Sequence, residues 1–174
     1  MAITIISGTP GSGKTSLARL LSANGSRGVH IESDMFFRFV AHRVDPSLPD
    51  ASSQNSTVVR AYVAAALEYS AGGYDVYLDG VIGPWLLPLI TSMASDIQYV
   101  LLHAPLDVVL ARTQVRTSQS SATRDLVIRM HEQFYGIQDS FRKHVIQTND
   151  KSIEQVASEY ASGRNAGAYV LRNV

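Results

Sequence analysis

The feature that most constrains this chain is a corner. Gly8-Thr9-Pro10-Gly11-Ser12-Gly13-Lys14-Thr15 fits the pattern G-x-x-x-x-G-K-[ST], with Ser16 directly behind it. An apolar, β-branched run over residues 2–7 precedes it, and a helix-forming stretch begins at Lys14. Small residues there let consecutive backbone N–H groups turn inward around phosphate oxygens. The start of the following helix adds the positive end of its dipole. Lys14 supplies a point charge for the outer phosphates, and the Thr15 hydroxyl is a candidate Mg²⁺ ligand. Such a corner requires a strand before it and a helix after it, which already commits the chain to an α/β arrangement.

The rest of the sequence follows that pattern. Strands are expected over residues 2–7, 28–33, 74–80, 97–104 and 144–148. Helices are expected over 14–24, 34–43 and 106–115, and a short one near Trp85 carries an internal proline, Pro88. Val58, Val59, Tyr62, Val63, Ala66 and Leu67 space a longer helix that stops at Gly72-Gly73. Leu126, Met130, Phe134, Ile137 and Phe141 space another, and Ile153, Val156, Ala157 and Tyr160 a last one. Strands that alternate with helices, with no hairpin signal, imply a parallel sheet. A length of 174 residues suits one domain spanning 1–174. Its substrate-binding region is expected at about 34–60 and its lid at about 112–128, with the tail 164–174 unassigned.

Composition narrows the partners. Apolar residues make up 45% and the formal net charge is zero, so a general nucleic-acid binder, which needs a basic face, is disfavoured. There is no cysteine, which excludes disulfides and thiol chemistry. The start of the chain has no basic region before its apolar run, so no signal peptide is expected, and the apolar runs are too short for a membrane span. A cytoplasmic protein, monomeric or homodimeric, is the expectation. Arginine outnumbers lysine 12 to 3, which favours bidentate contacts with phosphate or carboxylate.

Ligands of parallel sheets bind at the carboxyl ends of the strands. At the second such end, HIESDMF places Glu32 and Asp34 two residues apart, facing the same way if both lie on the strand. A carboxylate there can accept the proton of a hydroxyl that attacks a γ-phosphate, and Asp34 can also cap the next helix. At the third end, Asp79 can hold a Mg²⁺ water or orient a substrate. Gly80 and Gly83 leave room for a ligand, and Trp85 is either a core anchor or a pocket wall. From Arg112 to Lys143 there are six basic residues against three acids, and Arg112 and Arg116 share a helix face. That suits a lid closing on a phosphoryl group.

At these residues the sequence resembles the small phosphate-loop kinases of the nucleoside-monophosphate-kinase type, a group that includes shikimate kinase, gluconate kinase and chloramphenicol phosphotransferase. The resemblance covers about residues 1–163 and rests on GTPGSGKTS, HIESDMFF, YDVYLDGVIGPW, LARTQVR and HVIQTNDKS. It implies a three-layer α/β/α fold with a five-stranded parallel sheet in the order 2-3-1-4-5, ATP and Mg²⁺ as cofactors, and a small-molecule hydroxyl as acceptor. Asp34 matches the catalytic aspartate, and Glu32 stands where shikimate kinase has an acid associated with Mg²⁺. Arg112 would stack on adenine, with Arg116 or Arg124 as the lid arginine. The loop 148–152, with Asn149 and Lys151, would lie beside the base. Arg60 is near where shikimate kinase anchors its substrate carboxylate.

The sequence departs from shikimate kinase where Asp79-Gly80-Val81-Ile82-Gly83-Pro84 replaces a triple-glycine loop. The helix after Asp34 is aromatic (Phe36, Phe37, Phe39), which suggests an apolar or aromatic acceptor entering between Asp34, Asp79 and the Phe37 and Arg38 helix. Two other readings remain: a kinase of nucleic-acid ends or nucleotide sugars, and a nucleotide binder without catalysis. A GTPase is disfavoured, since Thr148-Asn149-Asp150-Lys151 is not N-K-x-D.

Overall fold

Residues Ile3–Gly8 form β1, which is buried along its whole length. The structure is a computed structural model and describes residues 3–114, 123–136 and 141–171. β1 is flanked on both sides, by β3 (Asp75–Gly80) and β4 (Ile97–His103), so its side chains meet protein on both faces. That explains a strand without polar alternation. β2 (Gly28–Glu32) pairs outside β3, and β5 (Val145–Gln147) pairs outside β4. All pairings are parallel, and the order is β2-β3-β1-β4-β5.

Strand alternation sorts the core into two layers. Ile3 and Ile5 of β1 join Val76, Leu78, Tyr99 and Leu101 on one face, packed by α3 (Ser52–Ala71), α4 (Leu87–Thr91) and Phe134 of α6 (Arg124–Tyr135). Ile6 joins Tyr77, Val100 and Leu102 on the other, packed by Leu17 and Ala18 of α1 (Lys14–Asn24) and by Val156 and Tyr160 of α7 (Ile153–Asn165). Each such aliphatic side chain contributes on the order of 1.5–3 kcal/mol by leaving water. The β4 to β5 connection also carries α5 (Leu106–Gln114).

Two helices are shorter than their apolar spacing predicts. α2 spans Ser33–Arg38 rather than 34–43. Beyond Arg38 the chain turns out of the helix: Phe39 is 73% exposed, while Val40 turns back against the core. The loop is instead tied to α3, where Gln54 Nε2 donates to the Val44 carbonyl and Gln54 Oε1 accepts from the Val44 N–H, both at 2.9 Å. α6 stops at Tyr135 because Gly136 takes the C-cap, and Phe141 instead packs its ring on Tyr99 at 5.9 Å, just before a 3₁₀ turn at Arg142–His144. Pro88 does not break α4, since it stands in its first turn. The segment after α7 bends back along β4: the Tyr99 N–H donates to the Tyr169 carbonyl at 2.8 Å and the Leu171 N–H to the Ile97 carbonyl at 3.1 Å.

Candidate nucleotide and phosphoryl-transfer site

The register places Ser7 beside Gly80 and Gly8 beside Leu102. The glycine loop after β1 therefore emerges between the loops that follow β3 and β4. Gly8, Gly11 and Gly13 all take positive φ. Gly13 shows what the loop is shaped for: at φ +101° it is in a conformation that side chains resist, and a Cβ there would meet nothing within 4 Å. The open space lies over the first turn of α1, where backbone N–H groups are free to bind an anion. Ser12 Oγ is buried beneath the same loop with no hydrogen-bond partner among the described residues. A phosphate chain fits this cradle.

Lys14 is buried at 9% exposure, and its ammonium donates to the Thr9 carbonyl at 3.0 Å, so the charge lies across the loop. Thr15 Oγ1 donates to Asp79 Oδ2 at 2.6 Å. The threonine spends its only proton on the carboxylate and keeps its lone pairs. Two hard oxygens side by side are the donor set that Mg²⁺ takes, usually completed by substrate phosphates and water. Among the described residues no cluster of three or more His, Asp or Glu forms a cage of its own.

Asp34 sits in the first turn of α2, not on β2, which ends at Glu32. The strand rule that would align Glu32 with Asp34 therefore does not apply. Asp34 makes no hydrogen bond that would cap its helix, and the N-cap position belongs to Glu32. The Asp34 side chain opens to solvent, and its carboxyl is pushed up from its ordinary value by the partial loss of water around it and by the negative charge of Asp79, while Lys14 and Arg38 pull it down. Asp34 is thus within electrostatic reach of both the loop lysine and the Asp79 carboxylate. Glu32 pairs with Arg19 at 2.8 Å on the exposed side of the strand end.

A cavity of about 390 Å³ opens on the α7 side of the loop, lined by Gly11, Ser12, Arg112, Thr148 and Lys151 among others, with Leu102, Ile153 and Val156 as an apolar wall. Its volume suits a purine base and sugar. Arg112 borders it rather than projecting freely: its guanidinium donates to the Thr148 carbonyl at 2.9 Å and to Thr148 Oγ1 at 3.3 Å. Thr148 Oγ1 in turn donates to the Ser12 carbonyl at 3.1 Å, which ties the loop after β5 to the glycine loop. Lys151 reaches Glu159 at 2.5 Å, and Asn149 donates to Asp150 at 2.9 Å without lining the cavity.

On the other side, the space expected above Gly80 and Gly83 is taken by the chain itself. A Cβ on Gly80 would stand 1.8 Å from Ser33 Oγ, and one on Gly83 would stand 2.2 Å from the Trp85 indole. Gly80 therefore lets the start of α2, and Asp34 with it, close onto the end of β3. Trp85 is 54% exposed and packs on Phe134 at 5.7 Å. Phe36 contacts the Tyr62 ring at 6.1 Å, and both it and Phe37 pack against the core. Arg38 and Arg60 are exposed. Arg116 lies outside the described residues, as does most of the loop expected to act as a lid.

His30 was not visible as a site residue in the sequence. Its Nε2 donates to Asp79 Oδ1 at 2.7 Å. The only signal was a polar side chain between Val29 and Ile31, two apolar residues of β2.

The family model for AAA domains matches residues 4–135, from β1 through α6. The chain belongs to the AAA domain family. No curated protein matches it in sequence. Among solved structures, this AAA domain is similar to a sugar kinase from Janibacter sp. HTCC2649, with a TM-score of 0.71 and 13% identity over 99% of each chain. It is also similar to the Deinococcus radiodurans tunicamycin resistance protein, with a TM-score of 0.69 and 19% identity over 99% of this chain and 100% of that one. A shikimate kinase from Acinetobacter baumannii, in complex with shikimate, gives 0.64 and 15% over 96% and 94%. At these identities the likeness is one of fold. The AAA domain has the architecture and sheet order of the small phosphate-loop kinases, and none of its described helices is long and apolar enough to cross a membrane.

Proposed function

We propose that this chain is an ATP- and Mg²⁺-dependent phosphotransferase that moves the γ-phosphoryl group to a hydroxyl of a small molecule. The observation that carries the reading is the position of Asp34. Its carboxylate stands exposed in the first turn of α2, within electrostatic reach of the loop lysine and Asp79, where an acceptor hydroxyl would meet the end of a triphosphate.

The roles follow from chemistry. The glycine loop, Gly8 to Ser16, holds the phosphates by backbone N–H groups, and Lys14 neutralises their charge. Thr15 and Asp79 would hold Mg²⁺, with Glu32 nearby, and the ion would supply charge neutralisation for the phosphates. Arg112, Thr148 and Lys151 border the base, with Asn149 at the edge of that loop. Asp34 takes the acceptor proton as the oxygen–phosphorus bond forms and ADP leaves. Arg116 stabilises the charge on the transferring group. The acceptor lies against α2 and the loop after β3, where Phe37, Arg38, Arg60 and Trp85 shape its site and Gly80 acts only by letting α2 close onto β3.

A panel of hydroxyl acceptors (sugars, sugar acids, nucleosides and antibiotics) assayed for ADP release tests this. The expected result is stimulation by one class, with turnover down about 100-fold or more in Asp34→Asn. No acceptor stimulation in the wild type, or full turnover in Asp34→Asn, would contradict it.

A further inference from the structure

We infer that His30 is a positioning residue for the Thr15–Asp79 pair, and so sets how strongly Mg²⁺ couples to nucleotide binding; the inference rests on the phosphotransferase reading above. Asp79 is only 4% exposed. A buried carboxylate needs a donor on each oxygen. Oδ2 receives the Thr15 hydroxyl at 2.6 Å and Oδ1 receives His30 Nε2 at 2.7 Å. A carboxylate oxygen only accepts, so the imidazole carries its proton on Nε2.

The arrangement spans three elements. Glu32, not His30, is the register partner of Asp79 across β2 and β3. His30 therefore reaches diagonally along the same face, a span an imidazole can cover. The carboxylate torsion of an aspartate is soft and roughly two-fold. With Thr15 as its only donor, Asp79 could turn Oδ2 away, and the threonine proton would rotate toward the open loop. That would replace the lone pairs offered to a cation by a hydrogen. With His30 on Oδ1 the carboxylate is held at both ends, and the Thr15 lone pairs stay aimed at the loop. His30 touches neither the cradle nor the base cavity, so its effect should fall on the metal and not on the nucleotide alone.

Calorimetric titration of the whole chain with a non-hydrolysable ATP analogue, in EDTA and across a Mg²⁺ series, tests this. In the wild type Mg²⁺ should tighten binding. In His30→Phe, which keeps the ring and loses the donor, binding in EDTA should change less than about twofold, while the Mg²⁺ needed for half-maximal tightening should rise about tenfold, as when the group orienting a metal ligand is removed. His30→Gln, which retains an N–H donor, should recover most of that loss. If His30→Phe loses affinity equally with and without Mg²⁺, or if neither variant moves the Mg²⁺ requirement, the inference is wrong while the reading of the site stands. A wild type that binds no nucleotide with Mg²⁺ would remove the reading itself, and the inference with it.

Discussion

Lys14 Nζ donates to the Thr9 carbonyl at 3.0 Å, so the ammonium closes over the loop whose phosphates it would neutralise. A charge-assisted hydrogen bond contributes about 1.5–3 kcal/mol. Lys14→Met keeps the buried stem and removes the charge. Nucleotide affinity is expected to fall about 10- to 100-fold, with no loss of melting temperature, because a buried ammonium leaves with it. Parallel calorimetry and thermal melts check both halves. A variant that binds as tightly as wild type would show that the loop grips by backbone alone.

The Asp34 carboxyl is raised by the partial loss of water around it, then by Asp79, and lowered by Lys14 and Arg38. A base works only when deprotonated, so activity should rise with pH through the Asp34 pKa. The acid limb of kcat/KM is expected on the high side of the ordinary aspartate value. Arg38→Ala removes a charge that favours the ionised form, so the limb should move to higher pH. Arg38 is exposed, which keeps the cost to folding small. The check is a pH–rate profile for wild type and Arg38→Ala on the same acceptor; a limb that moves down or stays put rejects Asp34 as its origin.

A third expectation concerns stability and pH. His103 ends β4, donates from Nδ1 to Gln147 Oε1 at 2.8 Å, and has its Nε2 buried without a partner among the described residues. Burial lowers its pKa from 6.5, the Gln147 hydrogen bond raises it, and the nearby His131 lowers it further. The unfolded chain therefore binds a proton more readily than the folded one. Above pH 6.5 both forms are neutral and His103 adds no pH dependence; as pH falls below 6.5 the fold loses stability through it. His103→Gln should flatten the decline in melting temperature between about pH 6.5 and 5 relative to wild type. Parallel slopes for the two proteins would rule the residue out.

How much of this was readable in the sequence follows from how local each feature is. The glycine loop, the strand before it and α1 after it form one contiguous stretch, and their residues carry the whole signal. The sheet order came through the resemblance, since strand spacing alone does not say which strand lies beside which. The end of α2 was misread because apolar residues persist through Val40, while the chain is held elsewhere by Gln54, a contact across ten positions. The long reading of α6 ran past Gly136, which takes the C-cap, to Phe141, which packs on Tyr99; residues 137–140 lie outside the described residues. His30 and Asp79 are 49 residues apart, and only the β2–β3 pairing brings them together. The space over Gly80 was assigned to a ligand because nothing local announces that Ser33 fills it.

The tail after α7, unassigned in the sequence, covers part of β4 that β5 leaves bare. β5 pairs only with Leu101 to His103, and the chain from Tyr169 to Leu171 runs antiparallel beside Ile97 to Tyr99. Tyr169 is 4% exposed and stacks on Tyr160 at 5.8 Å, whose hydroxyl shares a 2.9 Å hydrogen bond with Thr4 of β1. The tail thus closes an edge that would otherwise offer unpaired backbone groups to another chain. Tyr169→Ala should cost about 3 kcal/mol, the usual loss for a buried aromatic. For a chain of this length that lowers the melting temperature by about 10 °C. Val170→Ala, at a position 36% exposed, should cost far less. Thermal melts and light scattering on the two variants separate the cases. Equal melting temperatures would mean that the tail rests on the sheet without holding it, and scattering that rises for Tyr169→Ala alone would show the freed edge pairing between molecules.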